Sequence, residues 1–292
     1  YKRFGIKRFV LARECALSDI AEIKKAAAEK LGEKAAAEIK IEVFAHGAMC
    51  VSMSGRCFMS QFYGGKSANR GECLQPCRRE YRVSELRENG AEFVVGDGYV
   101  LSPRDLCTLP FIEKLFEAGV DSLKIEGRNK TPYYVAQTAR AYRKAIDDWF
   151  NDPESWRFEK YQAELDTLQN RGYTTGFFES TPDGSAQNYV STRSDGDWRN
   201  AAVIRNWTSD GAEVEIFQKI ERGDVLSFLP PDGNGTVDTS VRRVIDGLKN
   251  QEVEAVSPGR PHQTVFIENA AFGNVDRARL PVLTVARAPA KR

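Results

Sequence analysis

Ile39-Lys40-Ile41-Glu42-Val43-Phe44 is followed at once by Ala45-His46-Gly47-Ala48-Met49-Cys50. The first six residues are β-branched and apolar enough to read as a short buried strand, and the next six leave that strand toward a cysteine. Two further runs have the same character, Ile6–Leu11 (IKRFVL) and Val120–Ile125 (VDSLKI). Helical signals lie between and after them. Ser18–Leu31 is rich in alanine, Ser18 can cap it, and Glu22 follows as a reaching carboxylate. Leu109–Ala118 and Tyr133–Phe150 read as two more helices, with Pro132 where a first-turn proline is tolerated. Strands alternating with helices predict a parallel α/β arrangement.

The pattern changes after about residue 190. Short alternating runs appear at Ala201–Arg205, Glu213–Gln218, Asp224–Phe228, Val241–Ile245 and Gln263–Ile267, separated by turn signals such as Ser-Asp-Gly, Arg-Gly-Asp and Ser-Pro-Gly. They predict a small antiparallel β-barrel or sandwich. The Gly, Ser, Asp and Thr-rich stretch Ser180–Arg199 marks the boundary, which gives domains over residues 1–185 and 196–292. Arg222-Gly223-Asp224 reads as a turn.

The chain has 292 residues, 41% hydrophobic and 28% charged, enough for one large or two medium domains. No stretch approaches the roughly 18 to 20 apolar residues of a membrane span, and the opening Tyr-Lys-Arg-Phe carries no signal-peptide pattern. The expectation is a cytoplasmic protein with no membrane partner. Net charge is only +1, but residues 1–80 hold 15 Lys and Arg against 9 Asp and Glu, a local basic surplus suited to phosphate.

Five of the six cysteines fall in the spacing Cys50-x6-Cys57-x15-Cys73-x3-Cys77-x29-Cys107. In an intracellular chain such clustering points to metal or redox chemistry rather than disulfides. Thiolates suit iron–sulfur clusters and zinc, but the paired Cys-x2-Cys knuckles of a structural zinc site are absent. Ligands scattered over separate loops fit a cluster seated on a larger scaffold. Cys50 follows a strand, and functional residues of parallel barrels collect at the C-terminal ends of strands. Cys15, alone, reads as packing.

These residues resemble the signature of the peptidase U32 (collagenase-like) family. The resemblance runs from Glu42 through Cys57, through Ala68-Asn69-Arg70-Gly71-Glu72-Cys73 to Cys77 and Arg78, and through Ser102–Cys107. It continues in Ser122–Arg128 and in Asn170–Gly176, with Val10–Glu14 matching the preceding strand. The family implies an α/β fold in which this chain is the C-terminal part of a TIM-like (β/α) barrel followed by a small antiparallel β-barrel domain. It also implies a four-iron four-sulfur (4Fe-4S) cluster on four cysteines, and the family pattern favours Cys50, Cys57, Cys73 and Cys107, with Cys77 as an alternative ligand. The subgroup most similar in layout hydroxylates wobble uridine of tRNA and uses prephenate as co-substrate. Other members hydroxylate a ribosomal RNA cytidine, serve quinone synthesis as a paired complex, or carry a protease label. Only about the last three strands of the eight are legible here. A barrel cannot close on three strands. The chain is therefore expected to be a fragment lacking its N-terminal half, or to be completed by a partner in a homo- or hetero-oligomer.

Proteolysis needs a base beside its nucleophile, yet only His46 and His262 are available and no His-Glu-x-x-His pattern occurs. A His46–Cys50 pair would leave four cysteines unexplained. A non-enzymatic zinc-stabilised binding module is the further alternative. Lys124, Glu126 and Arg128 alternate at the end of a strand, on one side of it. Lys124 and Arg128 are candidate dicarboxylate ligands, and Glu126 and His46 candidate proton-transfer groups. Asn69 and Arg70, with Arg78 and Arg79, are candidate RNA phosphate contacts. Tyr133, Tyr134 and Tyr142 read as helix packing.

Overall fold

In a computed structural model, residues 4–54, 56–86, 90, 92–191, 196–259 and 261–290 are described. They form two compact units, each discontinuous in sequence: residues 1–126 with 170–195, and 127–169 with 196–292.

The first unit is built on β1 (Arg8–Val10) and β2 (Lys40–Ala48). An antiparallel hairpin, β3 (Tyr81–Leu86) and β4 (Glu92–Gly98), is followed by β5 (Asp105–Cys107) and β6 (Ser122–Ile125), and β7 (Tyr173–Thr174) comes last. β1 and β6 pair with β2 in parallel, in the registers Val10↔Glu42 and Phe44↔Lys124. The three strands expected to run parallel do so. β5 runs antiparallel to β2, with His46 opposite Cys107, and β7 runs parallel to β5. The sheet is therefore mixed.

Helix α1 (Leu17–Leu31) is followed by the single turn α2 (Glu33–Ala36). The short α3 (Met59–Gly64) lies in the cysteine segment, and α4 (Ile112–Glu117) precedes β6. α1 starts one residue earlier than Ser18 suggested. Ala16 takes the cap position, and its N–H donates to the Asp19 carboxylate at 2.9 Å. Ile41, Val43 and Ala45 alternate to the buried face of β2, where the first two pack with Ile20 of α1 and Leu115 of α4. Glu42 and Phe44 consequently share the opposite face, and the register against β6 shifts between Phe44 and His46. That face and the C-terminal ends of the parallel strands carry the polar chemistry.

One carboxylate ties this layer together. Asp121 accepts from Lys24 Nζ of α1 at 2.6 Å, from Lys40 Nζ at 3.1 Å and from Ile41 N–H at 2.8 Å. Burial works to raise its pKa, but the Lys24, Ile41 and Lys40 bonds together outweigh burial and hold it below the usual carboxylate range. A depressed pKa contributes stability above the ordinary carboxylate value, and that contribution is lost as pH falls through the folded-state value. Asp121→Asn is expected to cost about 1–2 kcal/mol at neutral pH. In urea titrations the gap from the unsubstituted protein should narrow as pH drops below the carboxylate range; a gap independent of pH would contradict the assignment.

The second unit begins with α5 (Pro132–Asn151) and α6 (Glu159–Asp166). Thr131 caps α5 through Tyr134 N–H at 3.3 Å, with Pro132 at its first position. Strands β8 (Trp198–Trp207), β9 (Gly211–Ile216), β10 (Ile220–Glu221), β11 (Val225–Phe228) and β12 (Val237–Ser240) follow. Then come β13 (Val244–Asp246), β14 (Gln251–Val253), β15 (Ala255–Val256), β16 (Thr264–Glu268), the turn α7 (Asn269–Phe272) and β17 (Val285–Pro289). Eight of the strands form one antiparallel sheet in the order β12-β11-β17-β8-β9-β16-β13-β14. It curls around a single core that includes Ile204, Val214, Leu226, Phe228 and Ile267. Its pairings follow the antiparallel expectation. Among the described residues β12 and β14 are not paired with each other, so the sheet stands as a curled half-barrel. The helices α5 and α6, which the sequence placed within residues 1–185, group in space with these strands.

Candidate active site

The C-terminal ends of β1, β2 and β6 converge on Phe44. The Arg13 guanidinium, just past β1, lies 3.7 Å from the Phe44 ring centroid, and Lys124 Nζ of β6 lies 5.1 Å from it on a parallel neighbour. Arg13 also reaches Glu126 Oε2 at 3.8 Å. Burial pulls the Arg13 pKa below its usual value, while the charges of Glu126, Cys50 and Glu14 act in the opposite sense. The neighbouring Glu14 accepts from Ser54 N–H at 2.7 Å and holds the loop beyond Cys50. Neither Arg13 nor Glu14 was singled out in the sequence, because their roles depend on two other strands arriving beside them.

His46 is buried on β2, and its ring packs tilted against Tyr173 of β7 at 5.3 Å between centroids. Its carbonyl accepts from Glu126 N–H at 2.8 Å, which carries the strand pairing one residue past β6. Gly47 follows with φ 112°, and a Cβ there would lie 2.5 Å from Glu126 O. β6 ends at Ile125, so the predicted alternation of Lys124, Glu126 and Arg128 stops at Glu126. Arg128 falls in a turn of the second compact unit.

All six cysteines are free thiols. Burial pushes the Cys50 thiol up. The Ser52 N–H opposes this, whereas the charges of Cys57 and Cys73 reinforce it. Burial also raises Cys77, against Arg78, with Cys50, Cys73 and Cys57 adding to the rise. The charges of Cys50, Cys57, Cys73 and Cys77 are thus felt by one another. Cys107 is buried in β5, opposite His46. Cys73 Sγ accepts from Gln75 N–H at 3.4 Å and from Ser60 Oγ at 3.7 Å, and Ser60 Oγ in turn accepts from Leu74 N–H at 3.1 Å. Hydrogen bonds directed at cysteine sulfurs are among the surroundings that tune iron–sulfur centres. Among the described residues no three Cys, His, Asp or Glu side chains converge closely enough to grip a single ion. A multi-iron cluster spreads its thiolates farther apart than one ion does. The donor set suits such a cluster in its soft thiolate chemistry and in its sulfur-directed hydrogen bonds.

Arg78 was expected at RNA phosphates; it points inward instead. Its guanidinium donates to Met49 O at 2.5 Å and to Pro103 O at 3.3 Å. Pro103 O also accepts from Arg171 Nε at 3.3 Å, and Arg171 pairs with the buried Asp105. Burial, and then the Arg171 charge, lower the Arg78 pKa. Asn69 accepts from Cys57 N–H at 3.2 Å and so positions a cysteine, while Arg70 and Arg79 are exposed.

The sequence profile of peptidase family U32 matches residues 1–188. The chain belongs to peptidase family U32. Among U32 relatives, a tRNA hydroxylation protein P1 of Bacillus subtilis is 36% identical over 238 residues, 80% of this chain and 54% of the relative. An uncharacterized protease of Methanocaldococcus jannaschii is 34% identical over 273 residues, 89% of this chain and 63% of the relative. A collagenase of Porphyromonas gingivalis is 37% identical over 182 residues, 61% of this chain and 43% of the relative. The matched stretch thus spans 43–63% of these relatives. The solved C-terminal domain of a Geobacillus thermoleovorans U32 peptidase aligns over 31% of this chain and 98% of its own at 16% identity and a TM-score of 0.24, too slight a likeness to bear on the fold. Among the described residues no helix is long and apolar enough to cross a membrane.

Proposed function

We propose that this U32 chain carries the metal-binding part of an iron–sulfur enzyme that hydroxylates a pyrimidine in RNA, with wobble uridine of tRNA as the substrate. The observation that supports it is the cysteine segment that follows the C-terminal end of β2, in which two donors are directed at Cys73 Sγ and Asn69 holds the Cys57 N–H. The relatives named as tRNA hydroxylation proteins supply the substrate class. In this reading Cys50, Cys57 and Cys73 hold a 4Fe-4S cluster. The fourth position falls to Cys107, as the family pattern has it, or to Cys77, whose thiol feels their charges. When bound, the cluster supplies one-electron redox chemistry.

The chain's own residues bind and orient. Arg13 and Lys124 both stand over Phe44 and offer two cations to a dicarboxylate such as prephenate. Glu126, fixed through its N–H to His46, is placed to accept or return a proton beside Arg13. The parallel strands are read as part of a (β/α) barrel whose functional face is this C-terminal end.

The test is anaerobic purification with iron and sulfide analysis, followed by mass spectrometry of tRNA nucleosides from cells lacking the protein. The expected result is about four irons per chain with matching sulfide, and loss of 5-hydroxyuridine derivatives. Serine at Cys50, Cys57 or Cys73 should abolish iron retention, and comparing Cys77→Ser with Cys107→Ser identifies the fourth ligand. One zinc without sulfide would overturn the cluster. Unchanged nucleosides with hydrolysis of a collagen-like peptide would favour the protease.

A further inference from the structure

We infer that α3 and its flanks form a docking platform for unpaired RNA, set against the cysteine segment; the inference rests on the RNA-modifying reading above. Phe62 is 86% exposed, Phe58 59% and Tyr63 51%. Phe58 and Phe62 stand one helical turn apart, with centroids 6.4 Å apart and rings tilted by 39°. Three large aromatic side chains left in water on one six-residue helix and its cap constitute the kind of patch that marks an interaction site.

The surrounding charge selects the partner. From Arg56 to Arg79 the chain carries five cations, Arg56, Lys66, Arg70, Arg78 and Arg79, against the single carboxylate of Glu72. Arg78 turns inward, and the other four are exposed. The Arg79 guanidinium lies over the Tyr63 ring at 4.5 Å, joining the cationic and aromatic parts. Exposed rings among cations are the chemistry that stacks unpaired bases while drawing in their phosphates.

The platform is also tied to the thiols. Phe58 directly follows Cys57, and Ser60 Oγ within α3 contacts Cys73 Sγ. A base stacked on Phe58 is thus fixed relative to two cysteines. A paired base could not stack there, so the platform would admit loops rather than duplex.

The experiment uses the natural protein, purified anaerobically, with three probes: an RNA hairpin with a loop of unpaired uridines, an RNA duplex of equal length, and phosphatidylglycerol vesicles. Phe58→Ala/Phe62→Ala should weaken hairpin binding by about tenfold or more, with iron content unchanged and little effect on the weaker duplex binding. Arg70→Ala should instead reduce the slope of log affinity against log salt by about one. Hairpin affinity unchanged in the double variant overturns the platform, even where tRNA hydroxylation persists and the functional reading stands. Hairpin binding lost in the double variant, with tRNA nucleosides unchanged in cells lacking the protein, keeps the platform and overturns the functional reading. Vesicle binding in place of hairpin binding, lost in the same variant, overturns it in favour of a membrane surface. No hairpin binding by the unsubstituted protein overturns it outright.

Discussion

Gly47→Ala is expected to destabilise the first unit by about 3 kcal/mol or more and to unseat the site with it. Two independent demands meet at this residue. Its φ of 112° is one that side chains rarely adopt, and the added Cβ would lie 2.5 Å from Glu126 O and 2.9 Å from Glu126 Cβ. Neither obstacle is the movable tip of a side chain. The Glu126 backbone is held by its N–H bond to His46 O at 2.8 Å, and His46 and Gly47 are themselves paired to Cys107 and Leu106 of β5. Relief therefore requires β2 and β6 to separate where Arg13, Phe44 and Glu126 meet. Hydrogen exchange reads this directly. The amides of Glu126 and β6 should lose protection, while those paired between β8 and β9 keep theirs. Protection unchanged at Glu126 would show that the close approach does not constrain the fold.

The second large effect is expected at Arg78. One guanidinium donates to the carbonyl just before Cys50 and to Pro103 O, four residues before Cys107, while its own backbone follows Cys77. Three cysteine-bearing segments are thereby joined by one side chain. A hydrogen bond from a charged group contributes about 1.5–3 kcal/mol, and relief of the repulsion from Arg171 offsets part of the loss. Arg78→Ala is accordingly expected to cost about 3 kcal/mol. Arg78→Lys should recover only a fraction, because an ammonium cannot span both carbonyls in a planar fork. The measurements are urea unfolding and the rate of Cys77 alkylation in the metal-free protein. Cys77 is buried now and should react faster in both variants. Equal stability and reactivity in Arg78→Ala would mean that the two carbonyl contacts hold nothing together.

Much of this architecture could be read from local patterns. β-branched runs at Ile6–Leu11, Ile39–Phe44 and Val120–Ile125 lie where β1, β2 and β6 stand, since a strand with one face on a helical layer must bury residues in a short local rhythm. The antiparallel strands after residue 190 were legible for the same reason. β5 was not. Asp105–Cys107 is three residues long, and its antiparallel partnership with β2 depends on a chain segment that leaves and returns over more than 50 residues. Nor did sequence order reveal that α5 and α6 group with the later strands, because burial of Tyr133, Ala141 and Tyr142 says that a partner exists without saying which.

The same division runs through the site. Cysteine spacing and family signature, both written along the chain, determine that this is a U32 protein and that thiols gather between Cys50 and Cys107. Only the tertiary structure decides what surrounds them. It turns Arg78 inward, commits Asn69 to Cys57, brings Arg13 onto Phe44 beside Glu126, and leaves Phe58 and Phe62 in water. The physical reason is that charge and aromaticity give a side chain its capabilities, whereas burial and partners select among them. Those are set by segments far apart in sequence that arrive together at the ends of the strands.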